Sequence, residues 1–433
     1  MKSYNDKLIS VRDALALIKD GYKIATSEGV CTPGGFMSEF HTINGRVKDV
    51  ELWCCRMAKS YPFLEVTDPT FNVFEIFLTK AARGATNPKV AYVPCHLSKA
   101  GRAILAGGAP DIYVVSATRP DEAGKMSMGL AALHSKTLMR ESKIVIAEVN
   151  KYMPFTYGDT EFSLDDVDYI IEHDEPIIEV YPPLPDPRDA VIGKLIADQI
   201  KDGDCLQVGI GGIPNAVMKL LTTKKDLGVH TELLGDGLVE LVKMGVINGR
   251  KKTVMPGKIV TSIIDGSKKV YDFVDHNPDV MVMQTSYTND VSVLAQCENQ
   301  ISVNAALEID LTGQCCSESI GSRQFSGTGG QAETAMGAQL AKGGKSFMVM
   351  YSTAMVKNAE GTRIPTSKIV AQLKPGATVS LQRNDVQYIA TEYGMVNLRG
   401  LSIPQRAEAL ISIANPDFRA DLRREATELE ILK

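Results

Sequence analysis

The strongest constraint on this chain is a phrase that occurs twice. IKDGYKIATSEGVCTPGGF (18–36) and IKDGDCLQVGIGGIPNAV (200–217) share IKDG, then a short apolar strand, then a loop rich in glycine and proline at nearly the same offset. A helical pattern precedes each copy. Val11, Ala14, Leu15 and Ile18 follow i, i+3, i+4, i+7 spacing after a Ser10 cap, with Asp13 three residues beyond it. Ile192, Leu195, Ile196 and Ile200 form the same face before the second copy. Asp20-Gly21 and Asp202-Gly203 stop the two helices. A weaker echo follows in the same order, where Asp121 and Gly124 of DEAG answer Asp310 and Gly313 of DLTG. Two echoes in one order indicate a duplicated domain, because solenoid arrays need many repeats of ~20–50 residues. Between the copies, YPPLPDP (181–187) places four prolines in seven positions, an extended segment that reads as a linker. The expected domains are therefore residues 1–183 and 184–433.

Continuous apolar strands alternate with helical patterns in both parts: Tyr22 to Thr26, Ile112 to Val115, Ile144 to Ala147, Leu206 to Val208, Val280 to Met283 and Phe347 to Met350. Strands apolar on both faces belong to mostly parallel sheets covered by helices on each side. The expected fold class is α/β, with two homologous three-layer domains and with loops at the carboxyl ends of the strands available for a site.

Composition narrows the function. Net charge is −5 over 433 residues, so the chain as a whole has no basic field to attract nucleic acid or anionic lipid. MKSYNDKLIS lacks the apolar run of a signal peptide, and no stretch approaches the ~18 apolar residues of a membrane helix. A cytoplasmic protein with no membrane or nucleic-acid partner is expected. The eight cysteines include two adjacent pairs, a spacing that does not wrap zinc, and no H-E-x-x-H occurs. Reduced cysteines and no metal site are expected.

Three features could carry chemistry. The first is the loop Gly209-Ile210-Gly211-Gly212-Ile213-Pro214, set between a strand and a helix expected near Asn215. Glycines let a backbone approach an anion closely, and a helix start adds partial positive charge. The loop is neither G-x-G-x-x-G nor a P-loop, and a tight turn explains it equally well. The second is Ser326-Gly327-Thr328-Gly329-Gly330-Gln331, before a helix containing Ala335, Met336 and Leu340. Its free N–H groups could form an oxyanion hole or only a flexible turn. The third is Glu232, within HTELLGDG and before a helix bearing Leu238, Leu241 and Val242. A carboxylate at a desolvated strand end is a stronger nucleophile than one in water. The residue pattern alone does not choose Glu232 over Glu28, Glu318 or Glu392.

Five motifs in order, VNKYMPFTYGDT (149–160), QVGIGGIPNAV (207–217), HTELLGDGLVELVKMGVI (230–247), SGTGGQ (326–331) and TEYGMVNLRG (391–400), resemble the acetyl-CoA hydrolase/transferase family of CoA-transferases. Within that family they are most similar to the members acting on 4-hydroxybutyrate and on butyryl-CoA with acetate. The resemblance implies paired domains of the ribose-5-phosphate isomerase and glucosamine-6-phosphate deaminase type, with the site in the cleft between them. It implies Glu232 of the H-T-E motif as nucleophile and Asn289 of YTND as the asparagine beside it. Gly327, Gly329 and Gly330 would face the thioester oxygen and the CoA arm, and Gly209, Gly211 and Gly212 would add a second backbone surface in the cleft. Ser317-Glu318-Ser319 is similar to the S-E-N motif of the two-subunit 3-oxoacid CoA-transferases, which leaves Glu318 a minor alternative. Glu392 is expected to be structural, paired with a nearby arginine such as Arg399.

The activity implied is transfer of CoA between acetyl-CoA and a short-chain carboxylate, 4-hydroxybutyrate or butyrate, by ping-pong kinetics through a glutamyl-CoA thioester. Acyl-CoA hydrolysis on the same scaffold is the alternative. CoA and acetyl-CoA enter as substrates with no tightly bound cofactor, and a homodimer or homotetramer is expected from the resemblance.

Overall fold

The two IKDG phrases fold alike because the same atoms are used in each. In the computed structural model, which describes residues 3–358 and 360–433, Asp20 Oδ1 accepts the Lys48 N–H and Asp202 Oδ1 accepts the Lys225 N–H, both at 2.9 Å. The following glycines, at φ +71° and +86°, donate to the Lys48 and Lys225 carbonyls, again at 2.9 Å. Each phrase thus ties the start of one strand to the start of its neighbour. The second echo is also one turn used twice. Asp121 Oδ1 accepts the N–H groups of Ala123 and Lys125, and Asp310 Oδ1 those of Thr312 and Gln314, all at 2.8–2.9 Å. Such Asp turns satisfy backbone donors where the chain reverses.

The sheets carry the duplication into topology. The first has seven parallel strands, in the order Tyr169–Glu172, Ile144–Val149, Ile112–Ala117, Lys23–Thr26, Val50–Cys54, Phe71–Glu75 and Val90–Tyr92. Seven parallel strands of the second follow the same connectivity: Tyr388–Thr391, Lys345–Val349, Gln300–Ala305, Cys205–Val208, Gly228–His230, Ile259–Thr261 and Val280–Val282. The strand after IKDG lies fourth in each. The second sheet is longer at both edges. Gly394–Asn397 adds antiparallel to Tyr388–Thr391, and Tyr157–Gly158, from before the proline segment, adds parallel to Val280–Val282.

Alternate side chains feed two cores, which makes each unit three-layered. In the first sheet Ile24, Ile112 and Val114 join Phe36, Phe40 and Phe71 on one side, whereas Ala25, Tyr113 and Val115 join Leu97, Ile104 and Leu138 on the other. In the second, Phe347 and Val349 join the core around Leu206 and Val229, while Met348 and Met350 turn to Ile389 and Leu410. The cores cross between the sheets: Leu233 and Ile263 sit in the core of the first, and Val30, Cys31 and Leu130 in that of the second.

Local expectations hold with small shifts. The first helix is Val11–Ala16, closed by the Ser10–Asp13 capping box. The helix after the glycine loop begins at Gly212 rather than near Asn215, with Pro214 in its first turn, where no N–H is needed. Pro187 likewise opens the helix Pro187–Ala197 after an Asp186 cap. All eight cysteines are free.

One strand end stores a pH dependence. Glu75, the last residue of Phe71–Glu75, is fully buried and neither carboxylate oxygen has a hydrogen-bond partner among the described residues. Burial pushes its carboxyl up to about 8. Between the ordinary value of 4.5 and about 8, the folded protein holds a proton that the unfolded chain has lost. Stability is therefore greatest below 4.5 and falls as pH rises through about 8. Glu75→Gln is expected to melt near the wild-type temperature at pH 4 and above it at pH 8. Equal melting shifts at both pH values would show that Glu75 does not titrate in this range.

Candidate active site

Glu232 is presented by a backbone that is fully used. It follows the strand Gly228–His230, and its carbonyl accepts the N–H groups of Ser262 and Ile263 at 3.0 and 2.9 Å. The parallel pair Leu233–Leu234 and Ile263–Ile264 continues directly after it. The main chain is thus held on both sides, and the side chain is half-buried.

Asn289 meets that side chain, its Nδ2 donating to Glu232 Oε2 at 2.7 Å. It ends the short helix Thr285–Thr288 and is itself fully buried. Asp290, which follows, turns away to cap the next helix by accepting the Ser292 N–H at 2.8 Å. His230 holds this corner from below. Its Nε2 lies 2.9 Å from the Thr288 carbonyl, and burial pushes the imidazole down to about 4, with the Lys252 charge adding to the effect. A neutral ring at physiological pH donates from Nε2 to that carbonyl and fixes the turn from which Asn289 projects.

The loop Ser326–Gly330 closes the other side. A Cβ on Gly330 would stand 2.0 Å from both Glu232 Oε2 and Asn289 Nδ2, so a side chain there would displace the carboxylate or its amide partner. A Cβ on Gly327 would stand 2.5 Å from the Ile76 carbonyl, and Gly329 lies beside the Phe77 ring. These contacts place the loop against the first sheet's strand end. Arg83, stacked 4.2 Å over the Phe325 ring, donates to the Phe325 carbonyl, and the Gly329 carbonyl accepts the Leu97 N–H at 3.3 Å. Glu232 is consequently enclosed by residues from both sheets.

The electrostatics of Glu232 are a balance. Burial raises its pKa most strongly, and Glu333 adds to the rise. Asn289, the Arg56 charge and the Gly330 N–H oppose it. Poor solvation raises nucleophilicity, while the three donors keep anion available.

Arg56 carried no signal in the sequence. It stands at φ +57°, a left-handed conformation that residues with side chains seldom adopt outside sites that require it. Its guanidinium binds Asp265 at 2.6 Å, and Asp265 is buried in the wall of a second feature. This is a pocket of about 250 Å³ lined by Gly209, Gly211, Asn215, Gly235, Asp236 and the proline segment Tyr181–Pro183, among others. Gly212 faces the Asp189 carboxylate, where a Cβ would stand 2.4 Å from Oδ2. The site residues expected from the sequence therefore fall into two groups. Glu232, Asn289, Gly327, Gly329 and Gly330 form one cluster, while Gly209, Gly211 and Gly212 belong to the neighbouring pocket region, which reaches the cluster through Asp265 and Arg56.

The carboxylates of Glu28 and Glu392 have other partners, whereas buried Glu318 keeps one carboxylate oxygen without a partner among the described residues. Glu28 accepts from Ser135 and lies 2.9 Å from His134 Nε2. The Glu318 carbonyl receives the N–H groups of Phe325 and Ser326, which shapes the glycine loop. Glu392 binds Ser352, by its N–H at 2.8 Å and its hydroxyl at 2.7 Å. The expected pairing with Arg399 is not formed, because Arg399 reaches instead to Gln339 Oε1 at 3.0 Å.

The chain is similar to known proteins over its whole length. The acetyl-CoA hydrolase/transferase N-terminal domain matches residues 1–182 and the corresponding C-terminal domain residues 266–426. A 4-hydroxybutyrate coenzyme A transferase of Clostridium kluyveri is 38% identical, over 98% of this chain and 97% of its own length. A butyryl-CoA:acetate CoA-transferase of Anaerostipes caccae is 40% identical over 74% of this chain and 72% of its own. The crystal structure of RipA from Yersinia pestis superposes with a TM-score of 0.90 at 31% identity, covering 99% of both chains.

Proposed function

Because the chain belongs to the acetyl-CoA hydrolase/transferase family of enzymes and is a CoA-transferase within it, we propose that it moves CoA between acetyl-CoA and 4-hydroxybutyrate or butyrate through a covalent thioester on Glu232. The observation that carries the reading is the Glu232 carboxylate, held at 2.7 Å by Asn289 and packed against Gly330, where a Cβ would stand 2.0 Å from its Oε2.

The acyl group must pass between CoA and a free acid without losing the thioester's energy to water, which suits a carboxylate nucleophile. One Glu232 oxygen attacks the acetyl-CoA carbonyl, the C–S bond breaks, and CoA leaves as thiolate from an acetyl-glutamyl anhydride. The thiolate then attacks the glutamyl carbonyl. Acetate departs and a glutamyl-CoA thioester remains. The second acid's carboxylate attacks that thioester, CoA thiolate leaves, and its return to the new acyl carbonyl releases acyl-CoA and restores the Glu232 carboxylate. Each addition puts negative charge on a carbonyl oxygen. The Asn289 amide and the Gly329–Gly330 N–H groups supply donors for it in a site where such donors act strongly.

Incubation with acetyl-CoA followed by borohydride is expected to reduce the thioester to an alcohol, so the peptide containing Glu232 loses one oxygen and gains two hydrogens. Label on Glu318 or Glu392, or none on Glu232, would refute the assignment. CoA release that proceeds equally well with and without an acceptor acid would identify a hydrolase instead, since that requires water at the thioester.

A further inference from the structure

Two buried polar atoms, one guanidinium nitrogen of Arg56 and Oδ1 of Asp265, have no hydrogen-bond partner among the described residues. They belong to one ion pair, joined through the other nitrogen and Oδ2 at 2.6 Å, with the two side chains 18% and 2% exposed. An unmade hydrogen bond on a buried group is costly, and a spare donor next to a spare acceptor is an arrangement that wants one particular partner. The pair is tied to the nucleophile's strand, the Asp265 N–H donating at 3.2 Å to the carbonyl of Leu234, two residues beyond Glu232, and the Arg56 charge favours the Glu232 carboxylate. Asp265 also lines the pocket of about 250 Å³ described above, so its side of the pair borders open space.

We infer that Arg56 and Asp265 form a donor–acceptor dyad that selects a short acid carrying a hydroxyl group on its acyl chain. A hydroxyl oxygen accepts from the free guanidinium nitrogen while its proton is donated to Asp265 Oδ1, so one small group satisfies both. An alkyl chain satisfies neither. A second carboxylate satisfies the donor but faces the Asp265 charge, an unfavourable like-charge contact in a buried site. The inference rests on the transferase reading of Glu232 and adds what decides between the two acids named there.

The test compares kcat/KM for CoA transfer from acetyl-CoA to 4-hydroxybutyrate, butyrate and succinate. The wild-type enzyme is expected to prefer 4-hydroxybutyrate over butyrate by roughly 10⁴-fold, because a site built to bond a hydroxyl rejects the analogue that lacks it. Replacing both partners together, in Arg56→Met/Asp265→Leu, leaves no stranded buried charge, and the ratio is expected to collapse to within roughly threefold. Arg56→Lys keeps the charge opposite Asp265 but loses the forked second donor, and is expected to lower the ratio about tenfold if the double variant does not fold. Equal use of butyrate by the wild type, a preference for succinate, or a ratio unchanged in either variant overturns the dyad. In each of those cases at least one acid still accepts CoA, and any loss from removing the Arg56 charge that favours the Glu232 carboxylate falls on all acids alike and cancels from the ratio. Failure of the transferase reading looks different: no acid accepts CoA, and acetyl-CoA is hydrolysed.

Discussion

Glu232→Gln is expected to reduce CoA transfer by at least roughly 10⁴-fold while leaving a folded protein, because an amide oxygen is too weak a nucleophile to form the anhydride. Its shape is retained, and its carbonyl oxygen still accepts from Asn289 Nδ2, which bonds Glu232 Oε2 at 2.7 Å in the wild type. Stability should move the other way. The Glu232 pKa is raised chiefly by burial, so the folded state binds its proton more tightly than the unfolded chain. A raised carboxyl contributes most to stability below its unfolded value and loses that contribution as pH rises through the folded one. The neutral glutamine escapes the loss. Glu232→Gln is therefore expected to melt above wild type at neutral pH, with the difference shrinking toward pH 4. Thermal melts at several pH values, alongside single-turnover assays with acetyl-CoA, check both halves. Retained turnover would remove Glu232 from the chemistry, and an inactive variant that also melts earlier at every pH would mark it as structural.

Gly330→Ala is expected to cost roughly 10²–10³-fold in kcat, on the scale of losing a donor to the reacting oxygen. Gly330 has an ordinary φ of −100°, so alanine meets no backbone penalty. The only obstacle is its methyl group, 2.0 Å from both Glu232 Oε2 and Asn289 Nδ2. That methyl must separate the carboxylate from its amide partner or push the loop off Phe77. The experiment isolates this effect through a control: Gly400→Ala, at φ +79° with nothing within 4 Å of its Cβ, carries backbone strain and no steric conflict. Gly400→Ala is expected to melt lower with little change in kcat, and Gly330→Ala to lose kcat with little change in melting. The reverse pattern would show that Gly330 serves the fold rather than the carboxylate.

How much of the site was legible depended on whether a residue's role left a local trace. The glycines at 327, 329 and 330 stood out because close approach by other groups excludes side chains, and that exclusion is written as composition. Asn289 and Glu232 were found by resemblance, since neither an asparagine before Asp290 nor a glutamate before two leucines is unusual in itself. Arg56 and Asp265 left no trace. They are 209 residues apart, and what joins them is a 2.6 Å contact that only chain folding creates. Glu392 shows the opposite error, in which a plausible arginine partner seven residues on lost to Ser352, brought in from the neighbouring strand's end.

The duplication, by contrast, belonged to the sequence alone. Asp20 and Asp202 accept the same kind of N–H, and Asp121 and Asp310 close the same turn, because those bonds are made mostly within a few residues or between adjacent strands. Local turn chemistry repeats when sequence repeats, and apolar strand runs suffice to specify parallel, doubly covered sheets. What tertiary structure decided was which repeated parts meet. The loop at Gly327–Gly330 was set on Ile76 and Phe77, Arg56 was carried to Asp265, and Tyr157–Gly158 was added to the edge of the second sheet. Each is a contact between surfaces whose fit depends on side chains distant in the chain, and no single segment encodes it.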